Sequence, residues 1–122
     1  MAEMMTTECL MEDKVASLQR ALRAINDINR LKIICLLFGG EKCVCHIEEY
    51  LGVSQPLVSH HLRVLLQAGL VKVRKSGTWS YYSLEKEAIE SLNEDFKAVL
   101  GPHRFPEEYP PSEACEESEY PV

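Results

Sequence analysis

The chain contains no apolar run approaching the roughly 20 residues a membrane-spanning helix needs, and its start, M-A-E-M-M-T-T-E, lacks the basic stretch and apolar core of an export signal. A cytoplasmic protein is therefore expected. There is no even set of cysteines either. The five present, at positions 9, 35, 43, 45 and 115, argue against a disulfide framework and for reduced thiols open to metal or redox chemistry. No internal repeat occurs. No nucleophile, base and orienting group are suggested together, so an enzyme is the least favoured class. Finally, no Asp or Glu lies between Glu49 and Glu85, an interval that holds Arg63, Lys72, Arg74 and Lys75.

That last absence matters because the whole chain is acidic, with a net charge of −6. Six glutamates against Arg104 alone follow Gly101, whereas residues 1–100 carry thirteen acids and twelve bases. The acidity is thus concentrated in the tail, and a locally basic surface is expected in the middle. With 122 residues, 46% hydrophobic and 26% charged, the chain has the composition of one ordinary globular domain.

The acid-free interval contains S-Q-P-L-V-S-H-H-L-R-V-L-L-Q-A-G, Ser54 to Gly69. Ser54 is a good N-cap, Pro56 is tolerated in a first turn, and Gly69 suits a C-terminal stop. Val58, His61, Leu62 and Leu65 recur at i, i+3, i+4 and i+7 as one buried stripe. The opposite face presents Gln55, Ser59, His60, Arg63 and Gln67, short or planar donors and acceptors of the kind that read base edges.

Its neighbours complete a pattern. An amphipathic helix is expected from Asp13 to about Ile25, and a second from Ile28 to Phe38 behind the cap Asp27, with Leu31, Ile34, Cys35 and Phe38 facing in. A short helix near Val44 to Tyr50 ends at Gly52, so close to Ser54 that the two helices form a helix-turn-helix unit. Leu70 to Arg74 and Thr78 to Ser83 read as strands around a Lys75-Ser76-Gly77 turn, a basic hairpin placed to grip phosphate through Lys72, Arg74 and Lys75. Ser83 can cap a last helix, Leu84 to Leu100, with a stripe of Ile89, Leu92, Phe96 and Val99 suited to pairing across a two-fold axis. The fold class is mainly α with a small β-hairpin wing, a winged helix-turn-helix dimerising through terminal helices. Residues 1–12 are expected as a flexible arm, 13–100 as the DNA-binding and dimerisation domain, and 101–122 as a disordered, acidic, proline-rich tail.

Cys43-Val44-Cys45-His46 opens the short helix. In a regular helix residues two apart point roughly 200° apart, so these thiols meet on one ion only if the helix is locally distorted. A helix N-terminus also favours the thiolate that soft metals and arsenite require. The plain alternative is a pair of semi-buried, space-filling cysteines. Candidates for a third ligand are Cys9, His46 and Cys115. Three thiolates suit As(III) or Sb(III), three or four suit Cd(II) or Pb(II), and zinc would more naturally recruit His. Cys35 reads as a buried core thiol, and His103 as solvated.

G-G-E-K-C-V-C-H-I followed by L-G-V-S-Q-P-L-V-S-H-H-L-R-V-L-L-Q-A-G-L-V-K-V-R-K-S-G-T-W-S-Y-Y-S-L resembles the ArsR/SmtB metalloregulators, the arsenical-resistance-operon repressor family, over roughly residues 15–100. The resemblance implies a homodimeric winged-helix repressor that leaves operator DNA when a toxic metal or metalloid binds. It implies Cys43 and Cys45 as inducer ligands, and Ser54, Gln55, Ser59, His60 and Arg63 close to DNA. Glu48 stands where some arsenite-sensing members carry a third cysteine, and the last helix lacks the Asp/His pattern of zinc-sensing members. A cysteine like Cys9 completes the site of cadmium- and lead-sensing relatives, and here it could come from the partner subunit. The leading expectation is an As(III)-sensing repressor. The alternatives are a Cd(II) or Pb(II) sensor, a thiol redox switch, and a metal-buffering protein without DNA affinity.

Overall fold

The computed structural model describes residues 2–112, and for residues 2–10 their helical course alone. Helix α1 runs Ala2–Ile25, α2 Ile28–Leu37, α3 Val44–Leu51, α4 Gln55–Gln67 and α5 Lys86–Leu100. Strands β1 (Lys42–Cys43), β2 (Val71–Ser76) and β3 (Trp79–Leu84) form an antiparallel sheet in the order β1-β3-β2. No described helix is long and apolar enough to cross a membrane.

The core lies where α2, α3, α4 and the start of β2 converge. Ile33, Ile47, Val58 and Leu65 are wholly buried there and Leu62 almost so. Burying each such side chain contributes roughly 1.5–3 kcal/mol. α4 buries the expected stripe of Val58, His61, Leu62 and Leu65. Its end is closed by the Leu70 N–H returning to the Leu65 carbonyl at 3.1 Å. α5 packs along α1, with Lys14 4.0 Å from the buried Asp95.

Several local expectations change. Residues 2–12, expected as a flexible arm, continue α1. They lack an apolar period but are rich in Ala, Met, Glu and Leu, whose helix propensity needs no stripe. In α2 the buried residues are Ile33, Ile34 and Leu37, while Leu31, Cys35 and Phe38 are exposed. The helix is apolar on most sides, so periodicity does not select a face. Arg30 selects it by turning inward to bond the Ala24 carbonyl and His61, which carries Ile34 and Leu37 in with it. Cys35 is accordingly an exposed free thiol, not a core one.

Ser83 does not cap α5. It pairs with Lys72 in the ladder, which keeps its backbone extended, and Glu85 takes the N-cap position. Of the stripe expected on α5, Phe96 is 48% exposed, while Asp95 beside it is buried. The first part of the expected disordered tail is ordered: Pro102–Arg104 is a 3₁₀ turn, and the Arg104 guanidinium donates to the Val99 carbonyl at 2.6 Å. Residues 113–122, Cys115 included, and the side chain of Cys9 lie outside what the structure describes.

Candidate nucleic-acid interface and thiol pair

Helix α4 presents Gln55, His60 and Arg63 exposed and Ser59 half-buried. Ser54 holds the N-cap position with extended backbone, yet its hydroxyl makes no capping bond and is left for another partner. The turn before it is short because Gly52 adopts φ 65°, a left-handed conformation that ends α3 with its N–H on the Glu48 carbonyl at 2.9 Å.

The helix is anchored from behind by a polar staple. The Arg30 guanidinium, always a donor, lies 3.0 Å from His61 Nδ1, so that nitrogen accepts and the proton sits on Nε2, 3.7 Å from Asp27 Oδ1. Asp27 in turn caps α2 by accepting from the Asn29 and Arg30 N–H groups at 2.8 and 3.2 Å. Burial holds His61 below the ordinary imidazole pKa. The Asp27 charge opposes this, and Arg30 and His60 reinforce it. Burial pushes the Asp27 carboxyl up, but the two N–H bonds and the charges of His61 and Arg30 together leave it below its ordinary value.

The wing is longer than its sequence suggests. β2 runs to Ser76, opposite Trp79, and the turn is Gly77-Thr78 with Gly77 at φ 61°, so Lys75 lies within the strand rather than at the tip. Lys72 and Lys75 are exposed. Arg74 is engaged: its Nη2 and Nε donate to Glu41 Oε1 and Oε2 at 2.7 and 3.1 Å, and its guanidinium lies over the Tyr81 ring, 4.6 Å from the centroid. The Arg74 hydrogen bond holds the Glu41 carboxyl below its usual range. Between wing and helix lies a polar cleft of about 480 Å³, lined by Gln55 and Ser59 of α4, Thr78, Trp79 and Ser80 of the wing, and Cys45 and Glu48 of α3.

The thiol pair sits at one edge of this cleft. Cys43 ends β1 and is the N-cap of α3, with φ −74° and ψ 159°, and its sulfur accepts from the His46 N–H at 3.3 Å. Because Cys43 is extended and only Cys45 is helical, the expected angular conflict does not arise. Their Cα atoms are 5.3 Å apart and the two sulfurs are joined in a disulfide. Reduced, the same backbone offers two convergent thiolates to a soft ion. Among the described residues no group of three or more His, Cys, Asp or Glu side chains is set to hold a metal.

A family model described as "Bacterial regulatory protein, arsR family" matches residues 27–73, from the Asp27 cap to the third residue pair of the wing. The arsenical resistance operon repressor of Staphylococcus xylosus is 35% identical over 67% of this chain and 79% of its own length. The chain belongs to the ArsR family. A cadmium resistance transcriptional regulatory protein CadC homolog of Staphylococcus aureus is 40% identical over 66% of each chain. A crystal structure described as a "possible transcriptional regulator for arsenical resistance" superposes with TM-score 0.60 at 34% identity, covering 63% of this chain and 80% of that one. This ArsR-family chain is thus a winged helix-turn-helix transcriptional regulator, and its relatives are regulators rather than enzymes.

Sequence reasoning missed Trp79 at the cleft mouth, the Glu41 partner of Arg74, and β1 itself. Trp79 was readable as the single tryptophan beside a wing turn. A two-residue strand has no period to detect.

Proposed function

We propose that this ArsR-family regulator is a metalloid-responsive repressor that binds operator DNA as a homodimer and leaves it when As(III) bridges Cys43 and Cys45. The observation that carries the reading is the convergence of those two sulfurs, one from the end of β1 and one from the first turn of α3, beside the cleft that α4 and the wing share and that Cys45 helps to line. Gln55, Ser59, His60 and Arg63, with Ser54 at the helix start, read base edges, while Lys72 and Lys75 approach phosphate. The exposed apolar side chains of Val15, Phe96 and Leu100 on α1 and α5 support pairing of two copies through these helices. The relative named for arsenical resistance supports As(III), and the one named for cadmium resistance supports Cd(II) as a competitor. For Cd(II) or Pb(II), Cys9 of a second copy is the proposed added ligand.

A gel-shift series on the promoter upstream of the chain's own gene tests this. Arsenite should release the unaltered protein, whereas a Cys43→Ser, Cys45→Ser double variant should bind and stay bound. Release of the double variant by arsenite defeats the mechanism. One observation favours a second reading, a thiol redox switch: the two sulfurs are already joined. Peroxide releasing DNA in metal-free buffer, with arsenite inert, would select it.

A further inference from the structure

We propose that Glu41 and DNA phosphate compete for Arg74, and that strand β1, which carries Cys43, decides which of them holds it. The proposal rests on the repressor reading above and specifies how its thiols act on the wing. Three residues stand in one row across the sheet: Cys43 is opposite Tyr81, and Tyr81 is opposite Arg74. Directly opposed residues project to the same face of a pleated sheet. Glu41, two residues before Cys43, closes the row into a ring by taking both ends of the Arg74 fork, while the Tyr81 ring supports the guanidinium from below.

This fork is solvent-exposed, with 57% of the Arg74 side chain and 36% of the Glu41 side chain accessible. A wet ion pair of this kind does little to hold a fold together. It does occupy the one planar, bidentate cation of the wing, and a phosphate offers that cation the same pair of oxygens. The acid-free interval from Tyr50 to Leu84 therefore has its Arg74 neutralised from outside, by an acid immediately before the strand that leads into the thiols. Lys72 and Lys75 make no ion pair among the described residues, so Arg74 is the wing cation whose availability can be set.

When arsenous acid closes on the pair, two As–S bonds form, and two hydroxyls leave arsenic as water with the two thiol protons. Cys43 is then tied to α3, the end of β1 is fixed, and Glu41 stays on Arg74. With free thiols β1 is less constrained, and Glu41 yields Arg74 to the phosphate. In the structure the two sulfurs are joined to each other rather than through arsenic, and the fork is closed.

The test is the salt dependence of operator binding, followed by fluorescence anisotropy in reduced and arsenite-loaded protein. Each phosphate neutralised adds about 0.9 to the slope of log affinity against log salt. The unaltered reduced protein should show a slope steeper by about 1 for each protomer than the loaded protein. In Glu41→Gln the two slopes should coincide at the steeper value, and the arsenite-driven loss of affinity should shrink by about fivefold or more, the lower end of ordinary coupling. Glu41→Asp should restore part of the difference, and Arg74→Gln should give the shallow slope in both states. A Glu41→Gln protein that keeps the full slope difference, or an Arg74→Gln protein that keeps the steep slope, overturns the proposal.

Ultraviolet thiolate-to-arsenic absorption reports loading separately, so a variant that fails to load is not mistaken for one that fails to respond. Should arsenite leave the unaltered protein on DNA, it is the inducer assignment that fails. The same slopes are then read on the disulfide made with diamide, which takes two electrons and two protons from the thiols. A difference abolished in Glu41→Gln supports the competition, and equal slopes in the unaltered protein overturn it.

Discussion

Helix α4 and strand β1 lie one short helix apart and are held by opposite means. α4 sinks four consecutive stripe positions into the core and is pinned behind by Asp27, Arg30 and His61. β1 is two half-buried residues long, tied by a ladder to β3, and Glu41 just before it makes an exposed ion pair to β2. The element proposed to read DNA is therefore held by contacts that do not involve the thiols. The element that carries a thiol is stabilised by little, and a small chemical change can move it. A regulator needs both, and here they are segregated onto different kinds of contact.

The contrast can be broken by experiment, first on stability. Leu65→Ala, which empties a wholly buried site, should lower the unfolding free energy by roughly 2–5 kcal/mol in a urea titration. Cys43→Ser should barely shift the midpoint. Comparable losses would show that β1 is as firmly built as α4.

The next effect is on affinity alone. Arg63→Ala removes an exposed donor of α4 and should weaken operator binding by about 1–3 kcal/mol while leaving the ratio between arsenite-free and arsenite-loaded affinities unchanged. A change in that ratio would mean that reading and switching are not separable.

The smallest effect is a pH dependence of the staple. Unfolded imidazole takes up its proton near pH 6.5, whereas folded His61 does so only at lower pH. Stability from this site is thus fully present above pH 6.5 and is lost as pH falls from there through the folded value. Asp27, held below 3.8, keeps its own contribution until the solution is more acidic still. Urea midpoints should fall from pH 7 to pH 5, and His61→Asn should flatten that fall. An equal fall in the variant would remove His61 from the explanation.

What the amino-acid order discloses follows the same division. The α4 stripe, the short turn at Gly52 and the paired strands of the wing were readable because each repeats a period or uses a residue with one conformational purpose. The inward face of α2 was not, because a helix apolar on most sides leaves the choice to Arg30, whose partners come from α1 and α4. The Arg74–Glu41 pair spans residues far apart in the chain that meet only once β1 has joined the sheet. The local distortion expected for bringing Cys43 and Cys45 together came from treating both as helical, when one of them is still strand.

Helix α3 itself is short enough to behave as a rigid lever. Eight residues at a rise of 1.5 Å each make an arm of about 12 Å. Its fulcrum is the Gly52 turn, which has almost no slack before Ser54 begins α4, and its free end carries Cys43 as cap and Cys45 in the first turn. Geometry alone then fixes the gearing: a tilt of about 5° about Gly52 displaces the sulfur end by about 1 Å on this length.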